Sequence, residues 1–186
     1  DADDSLLDSK TITGTTEEIT INGFTEGSHT IYARITDLAG NQCGESGALT
    51  FTVDLTAINV ANITIDLNVA DDSGTRDNDD ITNINTPTFT IADVSVNDIV
   101  KIYASDVLVG TATSTGTSVS VASSTLIDNP YTMSFTVTDY AGNVSAVSDN
   151  TLDIVIDTTP WGTLNNLVLI TYTGAEVDDN ITNDQT

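Results

Sequence analysis

The chain has 186 residues, 39% of them hydrophobic, and sets 28 Asp and Glu against four Lys and Arg, a net charge of −24 at pH 7. Binding nucleic-acid phosphates needs clustered Lys and Arg, so nucleic acid is excluded as a partner. So acidic a chain repels itself and calls for cations as counter-ligands or for salty surroundings, while its regularly alternating apolar residues argue for a folded protein rather than a disordered one.

The first strand-like run holds His29, Ile31, Ala33 and Ile35, with the three apolar residues on one side. It leads into Thr36-Asp37-Leu38-Ala39-Gly40-Asn41, and a second strand closes on Asp54 with Leu49, Phe51 and Val53 facing the core. The sole cysteine, Cys43, reads either as a half-buried small residue or as half of a disulfide whose partner precedes Asp1. After Asp54, seven strands are predicted at about 61–67, 86–93, 98–105, 107–114, 118–123, 131–139 and 151–157. Thr, Val and Ile dominate them, as a half-buried pleated surface prefers. Seven short strands in about a hundred residues are the mark of an all-β immunoglobulin-like sandwich. Its predicted core is Ile63, Ile65, Phe89, Ile91, Ile102, Val119, Val121, Phe135, Val137, Ile154 and Ile156. In 98–105 the pairs Ile99/Tyr103 and Val100/Ile102 compete for the inside.

The chain repeats itself. Thr138-Asp139-Tyr140-Ala141-Gly142-Asn143 returns the earlier hexapeptide 102 positions on (36 to 138). The strand-end Asp54 returns as Asp157, and Asp80-Ile81-Thr82-Asn83 as Asn180-Ile181-Thr182-Asn183. A common spacing predicts tandem modules: the C-terminal half of one in 1–54, a complete one in 55–157, and the start of another in 158–186. The chain thus reads as a window from a longer protein. His29 falls where the second copy has Tyr131, at a corner whose side chain bonds back to a nearby loop, so a structural hydrogen bond is expected of it.

Carboxylates concentrate at Asp71, Asp72, Asp77, Asp79 and Asp80, between the first two strands of the complete module and around Gly74. Oxygen donors in that number suit a hard cation, calcium above all, although the spacing is not that of an EF-hand. In a seven-strand sandwich this loop lies at the same end as Asp157 and Asp128. Asp139 and Asn143 lie at the other end, with Asp93, Asn97 and Asp98, facing the preceding exit at Asp54. The recurring acidic groups therefore fall at inter-module junctions, where a shared divalent ion would offset their repulsion. Enzyme readings fail for want of parts: one His, one Cys, no glycine-rich phosphate loop and no evident nucleophile–base pair. No apolar run near 18 residues occurs, and no direct membrane insertion is expected.

Thr-Asp-x-Ala-Gly-Asn, a strand ending in Asp157-Thr158-Thr159-Pro160, and the stretch from Asp72-Ser73-Gly74 to Asp80-Ile81-Thr82-Asn83 together resemble the bacterial immunoglobulin-like repeats of giant surface adhesins. That resemblance implies export by a one-step secretion system, an extracellular place on the bacterial surface, and calcium between modules. By motif it implies Asp139, Asn143, Asp54, Asp157, Asp72 and Asp80 as calcium ligands or their supports. The sequence departs from the pattern in Asp54-Leu55-Thr56-Ala57, which lacks the proline, and in Trp161 after Pro160. The expected role is a calcium-rigidified stalk whose partners are neighbouring modules of its own chain, with a host or surface ligand bound only through a distal domain. The alternatives are a module that grips carbohydrate or protein itself and a subunit of an extracellular filament. Aromatic residues are 5% of the chain and scattered, which offers no stacking platform for a sugar.

Overall fold

The structure, a computed structural model, describes residues 6–162. Its strands are β1 (Gly27–Ile31), β2 (Leu49–Val53), β3 (Thr64–Leu67), β4 (Ile81–Thr82), β5 (Thr88–Ala92), β6 (Ile99–Ala104), β7 (Val107–Thr113), β8 (Ser118–Ala122), β9 (Asn129–Thr138) and β10 (Leu152–Ile156), with one 3-10 turn at Val60–Asn62. The expected start of a third module falls almost entirely on 163–186, outside the described residues.

From β3 onward the strands make two sheets. One has three strands in the order β3-β5-β8, the other five in the order β4-β10-β9-β6-β7. All seven strands expected from the sequence form, and β4 is an eighth that the alternation did not reveal. The chain leaves the small sheet after β3, crosses the sandwich edge through residues 68–80, and joins the large sheet as β4, parallel to β10. The acidic loop is this crossing.

Alternating residues of both sheets meet in the core. Phe89 and Ile91 from the small sheet face Val100, Ile102, Met133, Phe135, Val137, Ile154 and Ile156 from the large one, all almost wholly buried. Each such side chain is worth about 1.5–3 kcal/mol on burial. Every core residue expected of the complete module is inside, whereas in the earlier half-module Phe51 and Val53 are half-buried and Ile35 and Leu49 stay exposed. In β6 the inward pair is Val100 and Ile102, with Ile99 turned out. Val60, Leu67, Val94, Ala104 and Leu126 complete the cluster.

Polar side chains tie the loops to this frame. Asn150 Nδ2 donates to the carbonyls of Ala61 (3.0 Å) and Ile63 (2.9 Å), clamping the entry to β3 against the segment before β10. Asn150→Ala leaves both carbonyls without that donor and should cost about 1–2 kcal/mol, read as a shifted urea midpoint at unchanged slope.

The β1–β2 hairpin reproduces β9–β10. His29 lies opposite Phe51 and Ile31 opposite Leu49, as Tyr131 lies opposite Ile154 and Met133 opposite Leu152. His29 Nε2 bonds the carbonyl of Thr25 at 2.7 Å, where Tyr131 donates its hydroxyl to the carbonyl of Ile127 at 3.2 Å. His29 is thus the structural corner residue that the sequence predicts, packed against Phe24 and Phe51. Cys43 is a free thiol. Its Sγ accepts from the Ile35 amide at 3.0 Å, the role Ser145 Oγ has toward Val137 at 2.9 Å.

Candidate functional site

Two regions gather the predicted site residues, one at each end of the sandwich.

The first is the crossing loop. Its start is fixed by Asn68, whose carbonyl accepts from the amides of Asp71 and Asp72 and whose Oδ1 accepts from Ala70. Gly74, at φ +112°, supplies the left-handed step that a residue with a Cβ resists. Asp71 is a clasp: Oδ2 accepts from the Thr88 amide at 2.7 Å, and its carbonyl accepts from the Thr82 hydroxyl at 2.5 Å. Asp72 is only 7% exposed. Its Oδ2 accepts from the Asp80 amide at 3.3 Å, while its Oδ1 is buried with no hydrogen-bond partner among the described residues. Leaving such an oxygen unmatched costs about 1–3 kcal/mol or more.

Asp66, Asp72, Asp77 and Asp80, with Asn68 and Asn78, line an open groove of about 520 Å³ beside the small sheet. Burial, and after it the charges of Asp72, Asp66 and Asp79, hold the Asp80 carboxyl above its ordinary value. The donor set is all oxygen and anionic, and one buried oxygen in it is unmatched, so the chemistry fits a hard cation. Among the described residues, however, no group of three or more Asp, Glu, His or Cys side chains forms a ready metal cage. A cation here would be held first by Asp72 and Asp80.

Asp157 lies beside this loop by its backbone, its amide donating to the Thr82 carbonyl at 2.9 Å, as the sandwich topology predicts. Its carboxylate accepts from the Thr159 amide at 3.1 Å. Asp128 joins it there, accepting from Thr158 and from the Thr159 hydroxyl. The Thr159 hydroxyl, then that of Thr158, holds Asp128 below the usual carboxylate range. The same knuckle follows β2. Glu26 Oε2 accepts from the Leu55 amide at 2.7 Å and the Thr56 hydroxyl at 3.2 Å, and Asp54 Oδ1 from the Thr56 amide at 3.0 Å. Asp128 was expected at this end of the sandwich, but Glu26 did not stand out in the sequence. Its signal was there, an acid three positions before His29 just as Asp128 stands three before Tyr131, 102 positions on.

The second region is the turn after β9. Asp139 Oδ1 accepts from the Asn143 amide at 2.8 Å and Oδ2 from Asn143 Nδ2 at 2.9 Å. Gly142 closes the turn at φ +98°. The Asn143 side chain, first of its partners, holds Asp139 below its usual range. Asn143 Nδ2 also reaches the Asp54 carbonyl at 3.1 Å. The earlier copy folds alike, with Asp37 accepting from Asn41 at 2.8 and 2.9 Å. Thus Asp54, Asp139 and Asn143 come together, Asp72, Asp77 and Asp80 come together, and Asp71 and Asp157 serve the backbone.

No curated protein matches the chain. Among solved structures it is similar to a chain described as "Biofilm associated protein - BSP domain", at 20% identity and a TM-score of 0.36, over 75% of this chain and 21% of that one. The chain therefore spans about a fifth of that protein's length, and the likeness is too loose to carry function across. Residues 59–158, which hold Asp71, Asp72, Asp77, Asp80, Asp139, Asn143 and Asp157, match the bacterial Ig-like domain, and the chain belongs to that family.

Proposed function

We propose that this protein is a stalk segment of a bacterial surface adhesin: an extracellular spacer that cations stiffen and that carries a distal adhesive domain away from the cell. The observation that carries the reading is the repeated exit knuckle. Glu26 with Asp54, and Asp128 with Asp157, pin the two residues after a closing strand through the same hydrogen bonds. A spacer needs its exits fixed in direction, whereas a ligand-binding module has no use for identical exits. Membership of a bacterial Ig-like family is consistent with this role. Calcium is the cation that best suits the Asp72–Asp80 groove, since the unmatched Asp72 oxygen and the crowded Asp80 carboxylate both gain from a positive charge.

Small-angle scattering of the whole chain with calcium, and again with chelator, tests the reading. The maximum dimension should shorten and the profile broaden on chelation, because unscreened carboxylates of the Asp72–Asp80 groove beside Asp157 favour a bent exit there. Identical profiles in both conditions would reduce the aspartates to solvated surface. Binding of the isolated chain to a glycan or protein array would favour the adhesive-module alternative.

A further inference from the structure

We propose that the side-chain amide of Asn143 is a latch for the exit strand of the preceding unit, and that it fixes this junction without any cation. The partner chemistry it fits is a backbone carbonyl at the aspartate that ends a β-strand.

The geometry of one NH2 group carries the argument. A primary amide has two N–H donors. One is anchored on Asp139 Oδ2 at 2.9 Å within the turn, which fixes the side chain. The other is thereby aimed out of the turn, where it meets the Asp54 carbonyl at 3.1 Å, with Asp54 Oδ1 at 3.4 Å. All three neighbours are acceptors, so the nitrogen rather than the oxygen must face them. The turn would form without this contact. Its backbone bonds, Asp139 to the Asn143 carbonyl, Gly142 to the Asp139 carbonyl and Asn143 to Asp139 Oδ1, involve no part of the Asn143 amide group.

The earlier copy supports the aiming as a property of the turn. Asn41 Nδ2 is held by Asp37 Oδ2 at 2.9 Å, with the same backbone bonds around it. These carboxylates differ from Asp72, whose Oδ1 is buried without a partner among the described residues, in that they already accept N–H donors. Asp139 has both oxygens engaged by the turn, and Asp54 Oδ1 is engaged by Thr56. Because Asp54 is covalently joined to the module it docks on, one such bond acts at high effective concentration.

The proposal does not rest on the calcium reading, and its test is run in chelator so that either can fail alone. Nitrogen-15 relaxation of the whole chain should give one rotational correlation time for the amides of β1–β2 and of β3–β10. A scalar coupling should run from Asn143 Nδ2 to the Asp54 carbonyl carbon. Asn143→Ala should lose both, with the hairpin's correlation time falling below that of the sandwich. Asn143→Asp should lose them at neutral pH and regain the common correlation time once acid protonates the new carboxyl, which can then donate; Asn143→Ala at the same low pH should not. A common correlation time that survives Asn143→Ala would overturn the latch. So would a hairpin that already tumbles independently in the wild type.

Discussion

Gly110→Ala should unfold this protein far more easily than any other glycine replacement in the sandwich. A Cβ at that position would lie 2.6 Å from the Ala122 carbonyl oxygen, 2.9 Å from Ile102 Cγ1 and 3.0 Å from Val121 Cγ1. β7 belongs to the large sheet but runs hard against the end of β8 in the small one, and the approach is possible only with no side chain between them. The nearest atom is backbone and cannot swing aside, while Ile102 and Val121 are fully buried in a packed core. Overpacking of this kind costs about 1–3 kcal/mol, and the backbone contact argues for the upper end. In a domain of this size each kcal/mol is worth roughly 4–8 °C in Tm, so calorimetry should see a large drop. Gly116→Ala is the control: nothing lies within 4 Å of its Cβ, and it should stay within about 0.5 kcal/mol of wild type. Equal melting of the two variants would mean that β7 and β8 are not so close.

The fold could be read from the sequence because its strands alternate. Phe89 and Ile91, or Phe135 and Val137, carry period two strongly enough to set both strand and face, and the repeat aligned His29 with Tyr131 and so exposed the corner. β4 escaped because two residues, Ile81 and Thr82, cannot show a period; the strand exists only through its pairing with Val155 and Ile156. β6 remained ambiguous because four apolar residues occupy both faces, and only the opposing sheet decides that Val100 and Ile102 are buried. The site was legible as a set of carboxylates and no further. Asp71 and Asp72 are adjacent and chemically identical, yet one holds the Thr88 amide while the other keeps an unmatched oxygen. Asp139 accepts twice from Asn143, a pairing that spacing alone does not specify. Which N–H each carboxylate meets is settled by loop geometry, which spacing does not encode.

Asp80→Asn should change sign with calcium. In chelator at neutral pH it should stabilise the sandwich; with calcium it should be the less stable form. The substitution suits the backbone, since Asp80 sits at φ +58°, a left-handed position that asparagine tolerates well. The carboxyl is held above its unfolded value by burial first and by Asp72, Asp66 and Asp79 after it. An acid whose folded pKa is raised burdens the fold when ionised in both states, that is, above its folded pKa. The burden is relieved as pH falls through that value toward the unfolded one. The advantage of Asp80→Asn in chelator should therefore fade on acidification, since protonation does to wild type what the mutation does permanently. Asp128 and Asp139, held low by their partners, push overall stability the opposite way in acid, so the quantity to follow is the difference between wild type and variant. A cation in the groove reverses the electrostatics, because the crowded charge becomes a ligand. Free calcium at a hundred times its Kd would add about 2.7 kcal/mol per site to wild type, and the variant should gain much less. Thermal melts of both proteins, at neutral and acid pH, with calcium and with chelator, check each sign. An equal calcium gain in both would move the cation away from Asp80, and a destabilised variant in chelator would mean that Asp80 does not feel its neighbours' charge.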